Sequence, residues 1–451
     1  MAKKADTDLT TGMPWKVILK FSIPILLTYL LQQFYSIVDT MVVGQFLGKE
    51  ALAGVGATGS INFMIIGFCM GICMGFVIPV AQRYGARDYS SMRKFIANSV
   101  WTALVLSFVL TVVVLIFCWQ ILELMQTPEN IITQAHDYIF VIFMGIPITI
   151  AYNLLGGILR SLGDSRSPFI ILMLASVVNI GFDILSVTVL SMGVIGPALA
   201  TLLSQAFSAV LCLVCIKRQF PILKISRDEW RPLGHYIKVL CGMGIPMGLQ
   251  YSITAIGSVV LQSGINSLGS GAVASVAAAQ RIVGFAGCPT DALGSSMATF
   301  AGQNLGARKI DRINQGLKAS TVIGFLYSIV LFVVMLLTSK YWMLLFISAQ
   351  ETKLIQDGAT FVIINTAFFC LLVIVNVFRF SIQGLGYSGF AIIAGVMEMI
   401  ARGLISLVFV PLFGFMSVCF GSPLAWVLAD MFLIPAYIHV MKKIKKEYME
   451  V

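Results

Sequence analysis

The chain has 451 residues, of which 58% are hydrophobic and only 11% charged, and its mean hydropathy is +0.93. A soluble globular chain carries about 25% charged residues, so this composition excludes a conventional soluble domain and points to helices that cross a bilayer. The 30 Lys and Arg outnumber the 20 Asp and Glu. On a soluble chain such an excess suggests nucleic acid. On an apolar one it reports topology, and no nucleic-acid partner is expected.

Residues Met1–Lys16 are polar and lead into a full-length apolar segment, so no cleaved signal peptide is expected. The first apolar stretch, Phe21–Leu47, carries Pro24 in its first half and Asp39 deep in its second. A carboxylate inside a spanning helix costs roughly 2.5–3.5 kcal/mol on insertion scales, and chains keep such groups mainly for function. At helical spacing Thr28, Gln32, Tyr35 and Asp39 share one face. The bland reading of the three neutral residues is helix–helix hydrogen bonding.

Twelve spans are expected in chain order, near 17–47, 51–80, 95–119, 133–155, 168–190, 194–216, 238–266, 271–301, 316–338, 357–378, 389–411 and 418–440. Pro24, Pro79, Pro246 and Pro289 are the candidate kink points. Alternate loops hold 25 and 3 of the Lys and Arg residues, with Arg379 counted in the basic loop group and Arg281 and Arg402 inside spans. That asymmetry predicts cytoplasmic N- and C-termini.

The chain also reads as two copies of one unit. Gln82-Arg83-Tyr84-Gly85-Ala86-Arg87 returns as Gln303-Asn304-Leu305-Gly306-Ala307-Arg308, and Leu159–Ser165 resembles Ile382–Ser388. Several such pairs, in order and at nearly one offset, predict two six-helix bundles. Six spans per copy makes them parallel repeats, related by a pseudo-two-fold axis along the membrane normal. The expected division is 1–216, a cytoplasmic linker at 217–237, and 238–451. The fold class is therefore an all-α membrane protein.

The fifth span brings Asn179 and Asp183 to one face, and the sixth carries Thr201, Ser204, Gln205 and Ser208 at helical spacing. The places equivalent to Asp39 and Asp183 in the second copy hold Val260 and Ser406. Two carboxylates facing each other in low dielectric cannot both stay ionised unaided. They share a proton, bind Na⁺ or receive a cationic substrate. Asn179 and Thr201 add neutral oxygens. Tyr35, one turn from Asp39, and Asn153, an amide in the fourth span, are candidate cavity contacts with Gln32. Glu398 and Arg402, four apart, read as a structural pair.

The nine cysteines lie in or beside apolar segments, and Cys212-x-x-Cys215 has no second pair or nearby His. They read as small hydrophobes, so neither a metal centre nor a cofactor is expected. No Ser/His or His/Asp constellation of a membrane enzyme is visible.

Twelve spans in two halves, Pro24 and Asp39 in the first span, the loop Leu159–Pro168 and the two Gln-x-x-Gly-Ala-Arg loops resemble the MATE family of multidrug and toxic compound extrusion transporters, in its DinF-like branch. The resemblance covers nearly the whole chain. It implies efflux of organic, often cationic, drug-like compounds by antiport against inward H⁺ or Na⁺. It also implies a coupling site at Asp39, Asn179, Asp183 and Thr201, and a first span that bends near Pro24. A second branch of the family uses acids in the seventh and tenth spans, where this chain has Gln250, Gln262 and Asn376. A multi-pass monomer in a prokaryotic plasma membrane is the expected setting. The alternatives are a lipid-linked oligosaccharide flippase of the same superfamily, whose cavity would be strongly cationic, and a membrane enzyme.

Overall fold

The computed structural model of the protein describes residues 8–125 and 127–449. Lys3 and Lys4, counted in the topology above, and the last two residues lie outside them. The described chain is helical, as an apolar backbone in lipid must be, because only helices and closed barrels satisfy their own N–H and C=O groups there. The first half contains α1 (Pro14–Val42), α2 (Lys49–Ala57), α3 (Gly59–Gly85), α4 (Tyr89–Ile116), α5 (Cys118–Leu124), α6 (Glu129–Met144), α7 (Ile146–Ser161), α8 (Arg166–Ile184) and α9 (Ile195–Gln219). The second contains α10 (Gly234–Asn266), α11 (Ser270–Gly306), α12 (Ile310–Met343), α13 (Thr352–Ala367), α14 (Phe369–Gly384), α15 (Gly389–Leu404), α16 (Val410–Phe413), α17 (Phe415–Cys419) and α18 (Gly421–Met449). Among the described residues ten helices are long and apolar enough to cross a membrane, and two bent pairs, α6–α7 and α13–α14, bring the total to twelve if each pair is one span.

The repeat is visible in backbone geometry. Arg87 and Arg308, 221 residues apart, both sit at φ 58°, in the left-handed region. Each ends its helix the same way: Asp88 N–H donates to Arg83 O at 3.0 Å, and Lys309 N–H to Asn304 O at 2.8 Å. Gly163 and Gly386, at φ 87° and 94°, repeat the next turn. The bends repeat too, 48° between α6 and α7 and 50° between α13 and α14.

The bends are not at the expected prolines. Pro24, Pro79, Pro246 and Pro289 all lie within unbroken helices. The chain turns instead at Gly145 and Phe368. At Gly145 a β-carbon would lie 1.9 Å from Leu202 Cδ2, so α9 crosses too close for any side chain. The proline beyond it, Pro147, is in the first turn of α7, where its missing N–H has no intrahelical partner to lose. Three five-residue π-helical turns follow α1, α8 and α15, at Val43–Leu47, Leu185–Val189 and Ile405–Phe409.

The chain forms two compact units whose boundaries differ from those at 216 and 238. One runs from Leu27 to Gly248; the other takes Leu9–Leu26 and the chain from Leu249 onward. The exchanged segments are anchored by specific contacts. In the second unit Leu9 is fully buried. Its carbonyl accepts from Asn304 Nδ2 at 3.1 Å, and Arg312 donates to the carbonyls of Thr11 and Gly12 at 2.6 Å. In the first unit the start of α10 meets α3 glycine to glycine. A β-carbon on Gly75 would lie 2.5 Å from Gly244 Cα, and one on Gly71 would lie 2.6 Å from Met247 O. Gly71/Gly75 and Gly244/Gly248 thus form a small-residue crossing of the kind that packs helices in lipid. Gly75→Leu is expected to lower the thermal midpoint in detergent by several degrees, since overpacking costs about 1–3 kcal/mol. A melt unchanged from wild type would show that the two backbones can separate freely.

The linker is folded. Glu229 receives Arg93 Nε and Nη2 at 2.8 Å and caps Ser226 N–H at 3.0 Å. Leu233 N–H donates to Asn98 Oδ1 at 2.8 Å, and Phe95 meets Tyr236 edge to face at 4.6 Å. The hydrogen bonds from Arg93 hold the Glu229 carboxyl down at about 2. A depressed carboxylate contributes above its unfolded pKa of about 4.3 and loses that contribution only as pH falls through the folded value. Hydrogen exchange in residues 222–233, corrected for intrinsic rate, should therefore not change between pH 5 and 8 in wild type. It should rise at all these pH values in Glu229→Gln.

Candidate functional site

The Leu27–Gly248 unit places the polar stripe of α1 against α8 and α9. Gln32, Tyr35, Asn179 and Thr201 line one cavity of about 30 Å³ with Tyr152, Ser176 and Gln205. One water needs about 10–15 Å³ by this measure, so the space suits a water or two, or a small ion, and not a drug. Four of the seven predicted residues therefore meet there. Asn153 does not line it: its Nδ2 turns back to Thr149 O at 2.8 Å, and Tyr152 supplies the wall from α7. Thr149 in turn donates to Gln205 Oε1 at 2.6 Å.

The carboxylates lie one helical turn further along. Asp39 follows Tyr35 on α1, and Asp183 follows Asn179 on α8, each by four residues. Asp183 is fully buried and Asp39 half-buried, and the two are within electrostatic range of each other. The π-helical turns that follow α1 and α8 pack together, which holds the two ends side by side. In the second unit Ser406 Oγ donates to Val260 O at 2.6 Å, and these are the repeat equivalents of Asp183 and Asp39.

Buried polar atoms are nearly always hydrogen-bonded, and the exceptions need a reason. Among the described residues Asp39 Oδ1, both carboxylate oxygens of Asp183, and both polar side-chain atoms of Asn179 are buried with no partner. Five unpaired atoms, four of them oxygens, converge from two helices. Such a set suits a proton or a monovalent hard cation. No group of three or more His, Cys, Asp and Glu that could hold a metal occurs among the described residues. Tyr138 on α6 is also buried within electrostatic range of both aspartates. Tyr138 and Tyr152 look like ordinary aromatic core in sequence; Tyr138 is singled out by its position near the aspartates and Tyr152 by lining the cavity.

The second unit holds a different cluster. Arg379, placed in a loop by its position at a predicted span edge, is 7% exposed and lies inside α14. It donates to Glu398, and Arg402 sits 3.7 Å from the same carboxylate. Arg402 Nη1 also reaches Thr254 O at 3.1 Å. The same-helix pair of Glu398 and Arg402 is present but secondary to Arg379. Asp430 on α18, which no motif in the sequence singles out, is 5% exposed and has two unpartnered oxygens among the described residues. Asp291 accepts from Asn376 Nδ2 at 2.8 Å.

The family model MatE matches the chain twice, at residues 24–185 and 246–417, once in each repeat. The chain is similar to the probable multidrug resistance protein YoeA of Bacillus subtilis strain 168, 29% identical over 347 residues, which cover 75% of this chain and 74% of that one. It is also similar to the FAD transporter of Shewanella oneidensis MR-1, 27% identical over 317 residues and 68% of each chain. A crystal structure described as MATE in complex with MaL6 superposes with a TM-score of 0.91, over 99% of this chain and 100% of that one, at 23% identity.

Proposed function

Because this chain belongs to the MatE family and is a multi-pass membrane protein, we propose that it exports organic, often cationic amphiphiles by antiport against inward H⁺ or Na⁺. The supporting observation is the set of unpartnered buried atoms on Asp39, Asn179 and Asp183. Asp39 and Asp183 carry the charge that the ion neutralises, Asn179 and Thr201 supply neutral oxygens, and Gln32 and Tyr35 wall the approach. In the cycle, the ion enters when the cavity faces outward, the carboxylates are neutralised, α1 bends near Pro24 and the drug leaves. Release of the ion on the cytoplasmic side restores the charge and lets drug bind again. Both termini are cytoplasmic in this scheme, supported by the Lys and Arg asymmetry, which Arg379 inside α14 reduces to 24 against 3.

The test is dye efflux from vesicles containing the purified chain, with an imposed pH or Na⁺ gradient. A cationic dye should move against its own gradient under one of the two. Failure under both would sink the antiport reading. FAD is the second cargo to try, because the Shewanella relative bears that name; its phosphates make it a poor partner for a carboxylate pair. A flippase for lipid pyrophosphates would want free cationic side chains. Here Arg379, which is buried, and Arg402, which is partly so, share Glu398.

A further inference from the structure

We propose that the first unit carries a binding site for an anionic phospholipid, between its linker and the ends of α4, α7 and α9. A cavity of about 540 Å³ lies there, within the roughly 300–1,000 Å³ typical of small-molecule sites. Its walls are apolar, with Val100 from α4, Leu155 and Ile158 from α7, and Leu213 from α9. Lys217, at the end of α9, and Lys224 and Trp230, in the linker, complete the lining. No residue of it belongs to the carboxylate cavity.

Three observations select the ligand. The first is continuity with the lipid-facing surface. Leu213 is 41% exposed, and Val210 and Val214 beside it on α9 are exposed as well, as are Leu104, Val105 and Phe108 on α4. An acyl chain lying on these faces can enter the cavity without leaving an apolar medium. The second is charge. Lys217 and Lys224 are both exposed at the mouth, and among the described residues neither has an ion-pair partner. The nearby carboxylates are engaged: Glu229 with Arg93, and Asp228 with Arg231 at 3.7 Å. Two unpaired ammonium groups beside an apolar chamber select a phosphate head and disfavour a cationic amphiphile of the exported class. The third is aromatic anchoring. Trp101 Nε1 donates to the backbone carbonyl of Trp230 at 2.9 Å, and Trp230 itself lines the cavity, so two tryptophans lie beside its opening, as tryptophans do at the membrane–water boundary.

The chamber is pre-formed. Its roof is the linker, fixed by Arg93 to Glu229 and by Asn98 to Leu233 N–H. The lipid therefore does not have to order the protein in order to bind.

The purified full-length chain, stripped of lipid in detergent, is titrated with phosphatidylglycerol or with phosphatidylcholine of the same acyl chains. Bound lipid is counted by native mass spectrometry. Wild type should retain phosphatidylglycerol at a much lower concentration than phosphatidylcholine. Lys217→Gln with Lys224→Gln should weaken phosphatidylglycerol by roughly thirtyfold, the combined weight of two lysines at an anionic headgroup, and leave phosphatidylcholine alone. Val100→Trp should reduce both. Both lysines are surface groups, so the double variant is expected to fold even if Val100→Trp does not. Equal retention of the two lipids by wild type would overturn the proposal. So would full retention of phosphatidylglycerol by the double lysine variant, or its displacement by glycerol 3-phosphate alone. Because the readout is bound lipid, a chain that transports nothing yet selects phosphatidylglycerol would support this site while sinking the antiport reading.

Discussion

Asp39→Asn and Asp183→Asn are each expected to abolish gradient-driven efflux while leaving insertion and folding intact. Asn keeps the shape and one oxygen of Asp but cannot carry charge, so each variant pocket loses one of the two charges that the coupling ion neutralises. One charge crossing 100 mV supplies about 2.3 kcal/mol, or roughly fiftyfold accumulation of an exchanged solute. In either Asn variant that accumulation should collapse to equilibration. Stability should hold or rise, because two carboxylates within electrostatic range in low dielectric oppose one another. Asp183 is wholly buried and Asp39 is not. Asp183→Asn should therefore give the larger gain in thermal midpoint. Vesicle assays and melts on the same preparations check both halves of this expectation. Normal efflux with either Asn variant would remove the carboxylates from the coupling scheme, whatever the melts show.

These two residues were legible in the sequence because a carboxylate in an apolar run is conspicuous and because helical spacing put neutral oxygens beside each. The spans and the repeat were legible for similar reasons: hydropathy is a strong signal over twenty residues, and the Gln-x-x-Gly-Ala-Arg loops fix a left-handed arginine twice. Other features were hidden by locality. Arg379 reads as a loop residue because it falls one position beyond a predicted span edge, whereas α14 continues to Gly384. The bend at Gly145 depends on the close crossing of α9 there, a tertiary fact that the expected prolines do not announce. The Gly71/Gly75 and Gly244/Gly248 pairs were in plain view, but nothing in one sequence says which small-residue motif meets which. The exchange of Leu9–Leu26 was unreadable for the same reason. Helix α1 is continuous, and the segment that leads into it is tied to the second unit through contacts of Leu9–Gly12 with Asn304, Lys309 and Arg312 that no sequence pattern announces.

Removing the Glu398 carboxylate should be the most destabilising single change in the second unit. Glu398 is 4% exposed and accepts from Arg379, while Arg402 lies 3.7 Å from its other oxygen. Breaking a buried pair by deleting one partner costs about 3–5 kcal/mol, because the remaining charge is left uncompensated. Arg379 has little in reserve: its Nε already lacks a partner among the described residues. At about 2–4 °C per kcal/mol for a unit of roughly 200 residues, Glu398→Ala should lower the melting midpoint by some 6–20 °C. Arg402→Ala should cost far less, since Arg402 is further from the carboxylate and holds the Thr254 carbonyl as well. Replacing both ends together, Arg379→Met with Glu398→Leu, should recover much of the loss, because an apolar pair of similar volume carries no desolvation penalty and Arg402 keeps the Thr254 carbonyl when it loses Glu398. The single and double variants together separate two roles for the cluster. If the double variant melts near wild type and still drives efflux, Arg379 and Glu398 brace the bundle and nothing more. If it melts near wild type and efflux is lost, the buried charges of the second unit, Asp430 among them, belong to the ion's path. A Glu398→Ala melt within 2 °C of wild type would mean that Asp430, within electrostatic range of Arg379, takes over as its counter-ion.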